Sequence, residues 1–153
     1  MKIERAVIED APGIMALQKL AYRSEAQIYN DFSIQPLMQT LEDLKGEFQS
    51  HDVFKAIRGK NLVGSVRTRV SGGTCYVGKL IVHPEYRNQG IGSALMAHIE
   101  RHNNAVKRFE LFTGHLSARN LYLYEKLGYR EYKREKAGDH LTLIFLEKVP
   151  EAT

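Results

Sequence analysis

Three apolar-rich runs follow one another between Val53 and Val82, separated only by glycine turns. "VFKAIR" and "NLVGSVRTRV" are joined through Gly59 to Asn61, and Gly72 and Gly73 turn the chain again into "TCYVGKLIV". Connections this short join antiparallel neighbours, so the middle of the chain reads as a three-stranded meander. The flanks supply helices. "KIERAVI" alternates as a first strand, Asp10 can cap a helix, and Ile14, Leu17, Ala21 and Ile28, with Leu20, recur at helical spacing to about Tyr29. Leu37, Leu41, Leu44 and Phe48 mark a second helix after Pro36. A third runs from about Gly90 to Asn103 on a stripe of Ile91, Leu95 and Ile99, with Ala94 beside them. "RFELFTG" reads as a strand, Ser117 to Leu127 as a helix ended by Gly128, and "YREYKRE" and "HLTLIFLEK" as two last strands. The order βααβββαβαββ predicts an α/β fold with a mixed, mostly antiparallel central sheet flanked by helices. Its 153 residues suit one domain, expected over 1–149, with a loose tail at 150–153.

Composition narrows the function classes. The start "MKIERAVIED" interleaves charged and apolar residues, so neither a signal peptide nor a membrane span is expected, and the chain reads as cytoplasmic. The single cysteine, Cys75, cannot form an internal disulfide and reads as a buried strand residue. Residues 1–50 hold 5 basic and 8 acidic side chains, whereas 51–153 hold 17 and 10. That basic excess is scattered along strands and helices, without the clustering and exposed aromatics of a nucleic-acid surface, so no nucleic-acid partner is expected.

The basic part contains "VHPEYRNQGIGSALMAHIERH", in which Gly90 and Gly92 stand directly at the start of a helix. A helix beginning at a glycine turn presents backbone N–H groups and the positive end of its dipole, which suits a phosphate. A P-loop is excluded because Ser93 and Ala94 follow the second glycine, with no lysine. A dinucleotide fingerprint fits poorly: Leu95 stands where its third glycine belongs, and the turn follows a meander rather than opening a βαβ unit. The plain alternative is a pair of glycines that merely permits a tight strand-to-helix connection.

Taken together, "LIVHPEYRNQGIGSAL" resembles the acyl-CoA signature of the GNAT N-acetyltransferase superfamily, R/Q-x-x-G-x-G/A, carried by Arg87, Gly90 and Gly92. "SARNLYLYEKLGY" resembles the family's later motif, with Tyr124 four residues before Gly128 and Tyr129. The resemblance covers nearly the whole chain and implies acetyl-CoA as co-substrate, with no metal. It implies a pyrophosphate cradle of backbone N–H groups across Asn88, Gln89, Gly90, Ile91, Gly92 and Ser93, next to Arg87. It also implies that the strand "KLIV" splays from "ELFT", so that Leu80, Ile81 and Val82 offer backbone groups to pantetheine in the manner of an added strand.

Acetyl transfer to an amine needs a neutral nitrogen, oxyanion stabilisation and a proton for the departing thiolate. By the resemblance Tyr124 is the general acid; the plain alternative is a packed aromatic. The carboxylate that many relatives carry late in these strands is absent, since Gly78, Lys79, Phe112 and Thr113 stand there. Glu25, His83, His115 or water remain as bases. Ser117 stands where the family often has asparagine and reads as an N-cap, whereas Asn120 is expected to face inward and bond the pantetheine arm. At about 100° per residue, Tyr22, Glu25 and Tyr29 share one edge of the first helix, so a cationic amine is expected near Glu25 between tyrosine walls. The acceptor is a small-molecule or peptide amine that the sequence does not specify further, and a homodimer is left open. The rival reading is an acyl-CoA-binding sensor without turnover.

Overall fold

The computed structural model describes residues 1–150; the last three residues of the expected tail lie outside them. In chain order the elements are β1 (Lys2–Arg5), α1 (Ala11–Ala21), α2 (Arg23–Tyr29), α3 (Gln35–Met38), α4 (Leu41–Glu47), β2 (Asp52–Arg58), β3 (Asn61–Ser71), β4 (Thr74–Val82), α5 (Ile91–His102), β5 (Arg108–Gly114), α6 (Ala118–Lys126), β6 (Arg130–Lys136) and β7 (Thr142–Lys148). The strands form one sheet in the order β1-β2-β3-β4-β5-β7-β6. Every neighbouring pair is antiparallel except β4 and β5, which run parallel. The expected mixed sheet and its strand sequence are therefore observed.

The expected first two helices are each divided, where side chains compete for backbone hydrogen bonds. Between α1 and α2 the Ala21 carbonyl accepts from Ser24 Oγ and from Arg87 Nη2, each at 3.2 Å, in competition with the helical amide one turn on. The helix breaks at Tyr22, and the phase of its apolar stripe is lost beyond that point. Ile28, expected in the stripe, is exposed, and Ala26 and Tyr29 are buried instead. Further on, the chain turns extended at Gln39, and Thr40 starts α4 by accepting the Asp43 amide at 3.1 Å while the Asp43 carboxylate accepts the Thr40 amide. Asp10 does not cap α1. Its carboxylate accepts from the Val7 amide and from Lys55 Nζ, which fastens the turn before α1 to β2.

One face of the sheet carries the main core, where Phe54, Val66, Cys75, Val77, Phe109 and Leu111 pack under α5 and α6. Gly64 lets α5 lie close: a Cβ there would meet Ile91 and Leu95 side-chain carbons at 3.0 Å and the Ile81 carbonyl at 3.1 Å. The opposite face holds α1 and α4. Arg67, 2 % exposed, reaches from β3 to Glu47 Oε2 at 2.6 Å and Gln39 Oε1 at 3.2 Å, and also to Gln18 of α1. A buried guanidinium has to be met by acceptors in this way, which pins α1 over the middle of the sheet.

β4 changes phase within its length. Ser65 faces Ile81 and Arg67 faces Gly78, so Val66 opposes two residues, Lys79 and Leu80. Lys79 takes the extra position with φ 51°, and its Nζ donates to Gln35 Oε1 at 2.7 Å. Before this bulge Cys75 and Val77 point to the α5 face; after it Leu80 and Val82 do, and Ile81 packs with Leu17 and Ala21 of α1.

Gly64→Ala should force α5 away from the sheet. The expected destabilisation is about 1–3 kcal/mol, read as a lower midpoint in urea unfolding with an unchanged slope.

Candidate active site

β4 and β5 pair only at Thr74–Arg108, Cys75–Phe109 and Tyr76–Glu110. Beyond these positions β5 continues along β7 and β4 continues along β3, so the two strands part, as the sequence led us to expect. A cavity of about 390 Å³ opens at the divergence. Leu80, Ile81 and Val82 form one side of it, and the turn from Arg87 into Ser93 forms another. The remaining walls are α6, through Arg119, Asn120, Tyr122, Leu123 and Lys126, and the α1–α2 joint, through Tyr22, Ser24 and Glu25.

The chain enters α5 through two left-handed residues, Asn88 with φ 63° and Gly90 with φ 79°. No side chain caps this helix, so the first-turn amides point outward at the positive end of a 12-residue dipole. A Cβ at Gly92 would meet Leu123 Cδ2 at 3.3 Å, so this glycine also sets how closely α5 approaches α6. Arg87, Arg119 and Lys126 bring three cations to the wall, and Glu25 is the one acid among the lining residues. Burial draws the Arg87 guanidinium below its ordinary range, and the charge of Arg119 adds to that. The arrangement suits a polyanionic ligand at the α5 end and a cationic group near Glu25.

Most of the sequence-predicted residues come together here: Leu80, Ile81, Val82, Arg87, Asn88, Gly90, Ile91, Gly92, Ser93 and Asn120, with Tyr22 and Glu25 opposite. Three do not line the cavity. Gln89 turns away to accept from Arg58. Tyr29 faces a second, more open cavity with His115, Asp139 and His140. Tyr124 is buried behind the wall, its ring 6.0 Å from Tyr129. Burial, first, then the charges of Tyr22 and Glu25 push the Tyr124 phenol well above its usual range; burial likewise raises Tyr22, to about 12. Both phenols therefore stay protonated at neutral pH.

Several expected roles change. Ser117 makes no side-chain cap to α6; it donates from Oγ to Glu25 Oε2 at 2.5 Å and meets the Tyr29 hydroxyl at 2.8 Å. Asn120 lines the cavity and donates from Nδ2 to Thr113 Oγ1 at 3.2 Å. His83 and His115 use Nδ1 to accept the backbone amides of Glu85 and Thr142, and neither lines the cavity beside Glu25. Cys75 is fully buried in β4, where desolvation raises its thiol to about 12. The cationic face of α6 was missed, although Arg119, Tyr122, Leu123 and Lys126 stand at helical i, i+3, i+4 and i+7 spacing. Among the described residues no helix is long and apolar enough to cross a membrane, and no group of three potential metal ligands comes together.

Residues 49–131 match the family model described as an acetyltransferase (GNAT) domain, and the chain belongs to that family. A curated relative, UPF0157 protein YqkA of Bacillus subtilis, is 28 % identical over 139 residues, which is 90 % of this chain; the chain spans only 39 % of that relative's length. Among solved structures, the ribosomal-protein-alanine N-acetyltransferase of Brucella melitensis superposes with a TM-score of 0.77 at 20 % identity, covering 98 % of this chain and 100 % of the other. The PaiA N-acetyltransferase of Thermoplasma acidophilum, in complex with coenzyme A, gives 0.80 at 17 % identity with the same coverage. At these identities the superpositions establish the fold.

Arg119→Glu changes an exposed position and should leave the melting temperature of the free protein unchanged. Acetyl-CoA titrated by calorimetry should bind it about tenfold or more weakly, with the loss shrinking in high salt.

Proposed function

We propose that the chain is an acetyl-CoA-dependent N-acetyltransferase whose acceptor is the primary amine of a small molecule or peptide, with residues 1–149 acting as one catalytic domain. The observation that carries this reading is the uncapped α5 turn, flanked by Arg119 and Lys126, opening onto a cleft between parted strands whose far wall holds a single carboxylate, Glu25. Backbone amides from Asn88 to Ser93 would hold the pyrophosphate, and the open edge of Leu80–Val82 would pair with the amides of the pantetheine arm. Bound there, acetyl-CoA supplies an acetyl group activated as a thioester.

The chain's own residues supply the rest. Glu25 receives the cationic nitrogen of the acceptor, with Tyr22 as an apolar neighbour on the same wall. Tyr124 donates the proton that the leaving thiolate needs. Its raised phenol is a weak acid, so the transfer is favourable only when coupled to return of a proton from the attacking nitrogen. Asn120, held by Thr113, is placed to bond the arm from the α6 side.

A second reading has an observation in its favour, because the Tyr124 ring stands outside the cavity lining. A binding module would hold acetyl-CoA without releasing thiol. Steady release of free CoA thiol with at least one member of a primary-amine panel is expected for the enzyme; acetyl-CoA binding with no release for any amine would leave the binding module.

In the enzyme, Tyr124→Phe should lower kcat by about 10²- to 10⁴-fold while acetyl-CoA affinity stays within about twofold. A variant that keeps more than half the wild-type rate, with chemistry rate-limiting, would reduce Tyr124 to a packing residue.

A further inference from the structure

The hydrogen bonds around Glu25 distinguish its two oxygens. Ser117 Oγ donates to Glu25 Oε2 at 2.5 Å. With that proton committed, the 2.8 Å contact between Ser117 Oγ and the Tyr29 hydroxyl is one in which Tyr29 donates. The Tyr29 oxygen in turn accepts the Leu116 amide at 2.9 Å. All links run one way, from backbone amide through phenol and alcohol to carboxylate, and such a chain polarises each bond in turn. Ser117 is 2 % and Tyr29 8 % exposed, so water has little access to the relay, whereas Glu25 itself stands on the cavity wall. Oε2 thereby already holds one donor, and Oε1 is the oxygen with both lone pairs open to a ligand.

Other bases are poorly placed. His83 and His115 accept backbone N–H groups on Nδ1, so each neutral ring carries its proton on Nε2 and has no second basic nitrogen to offer. We propose that Glu25 Oε1 is the general base of the transfer and that Ser117, backed by Tyr29, is its positioning residue. The inference rests on the N-acetyltransferase reading above. In the step, the acceptor's ammonium N–H bond breaks and its proton goes to Oε1. The electron pair stays on nitrogen, which becomes the neutral nucleophile, and the protonated carboxyl later returns the proton to solvent.

Other titratable groups face this carboxylate or its partners and belong in any pH dependence. Tyr22 lies at the α1–α2 joint, Arg87 before α5, and Arg119, Lys126 and Tyr124 on α6. The His115 ring lies 5.8 Å from that of Tyr29.

The test uses the full chain with n-propylamine, alaninamide and an alanine-ended peptide as acceptors, at saturating acetyl-CoA. Glu25→Gln should lower kcat about 100-fold, and Ser117→Ala about tenfold near pH 7, with the acetyl-CoA-induced rise in melting temperature retained. With alaninamide and the peptide, whose α-amino groups have a reference pKa of about 8, the Ser117→Ala deficit should shrink as the pH is raised toward about 10, where these amines arrive already neutral and need no base. Ser117→Thr keeps the hydroxyl and should restore most of the rate; Tyr29→Phe gives a smaller deficit with the same pH trend, and decides the matter if Ser117→Ala does not fold. Wild-type turnover with a folded Ser117→Ala or Tyr29→Phe at full rate, or with a deficit constant in pH, would overturn this inference alone. No wild-type turnover with any of the amines would overturn the transferase reading and this inference together.

Discussion

β4 and β5 share three register positions and then separate, and almost everything else at the site depends on that separation. A parallel pair continued to its end would close the sheet and leave no slot for a ligand. Because each strand leaves with a different partner, the divergence needs no broken sheet: β3 holds β4, and β7 holds β5. The facing edges beyond Tyr76 and Glu110 carry backbone donors and acceptors directed into the gap, which an amide-bearing chain can satisfy. The helices are arranged around this opening, with α5 starting at its mouth and α6 lying along it.

The second organising contact is at the Ala21 carbonyl. Arg87, from the turn that leads into α5, donates to Ala21 O and to Ser24 Oγ, so the phosphate-facing turn and the acceptor wall are tied by one guanidinium. The same bonds divide α1 from α2 and set the direction in which α2 carries Glu25. Buried Arg67 fixes the other end of this assembly by gripping Gln18 of α1 and Glu47 of α4. The cofactor side and the acceptor side are thus built from shared bonds rather than from separate lobes.

How much of this was legible in the sequence follows from the distances over which its causes act. The meander, the succession of strands along the chain and the glycine turn are local patterns, and they were readable. So was the parting of β4 from β5, through the family resemblance of "LIVHPEYRNQGIGSAL". The break at Tyr22 was not, because its cause, Arg87, lies 66 residues from Ala21 along the chain. Ser117 read as a helix cap for a similar reason: its partner Glu25 is 92 residues away, and the hydroxyl meets that carboxylate in preference to the local amides. The α6 face of Arg119 and Lys126 is different, since its helical spacing is present in the sequence, on the same helix that carries the tyrosine motif.

The extra residue at Lys79 acts on β4 as a one-letter frameshift acts on a message. Upstream of it odd-numbered positions face α5; downstream the even-numbered ones do, so inside and outside trade places without any change in the alternation itself. Straightening the strand with that residue kept would turn Leu80 and Val82 toward α1 and Ile81 toward α5, whereas deleting it would restore a regular strand with all three facing as they do now. A gapless comparison with a chain lacking the bulge would match buried positions to exposed ones over the very segment that borders the cleft. The phase of β4, more than the identity of any one of its side chains, is what an insertion or deletion in this strand would put at risk.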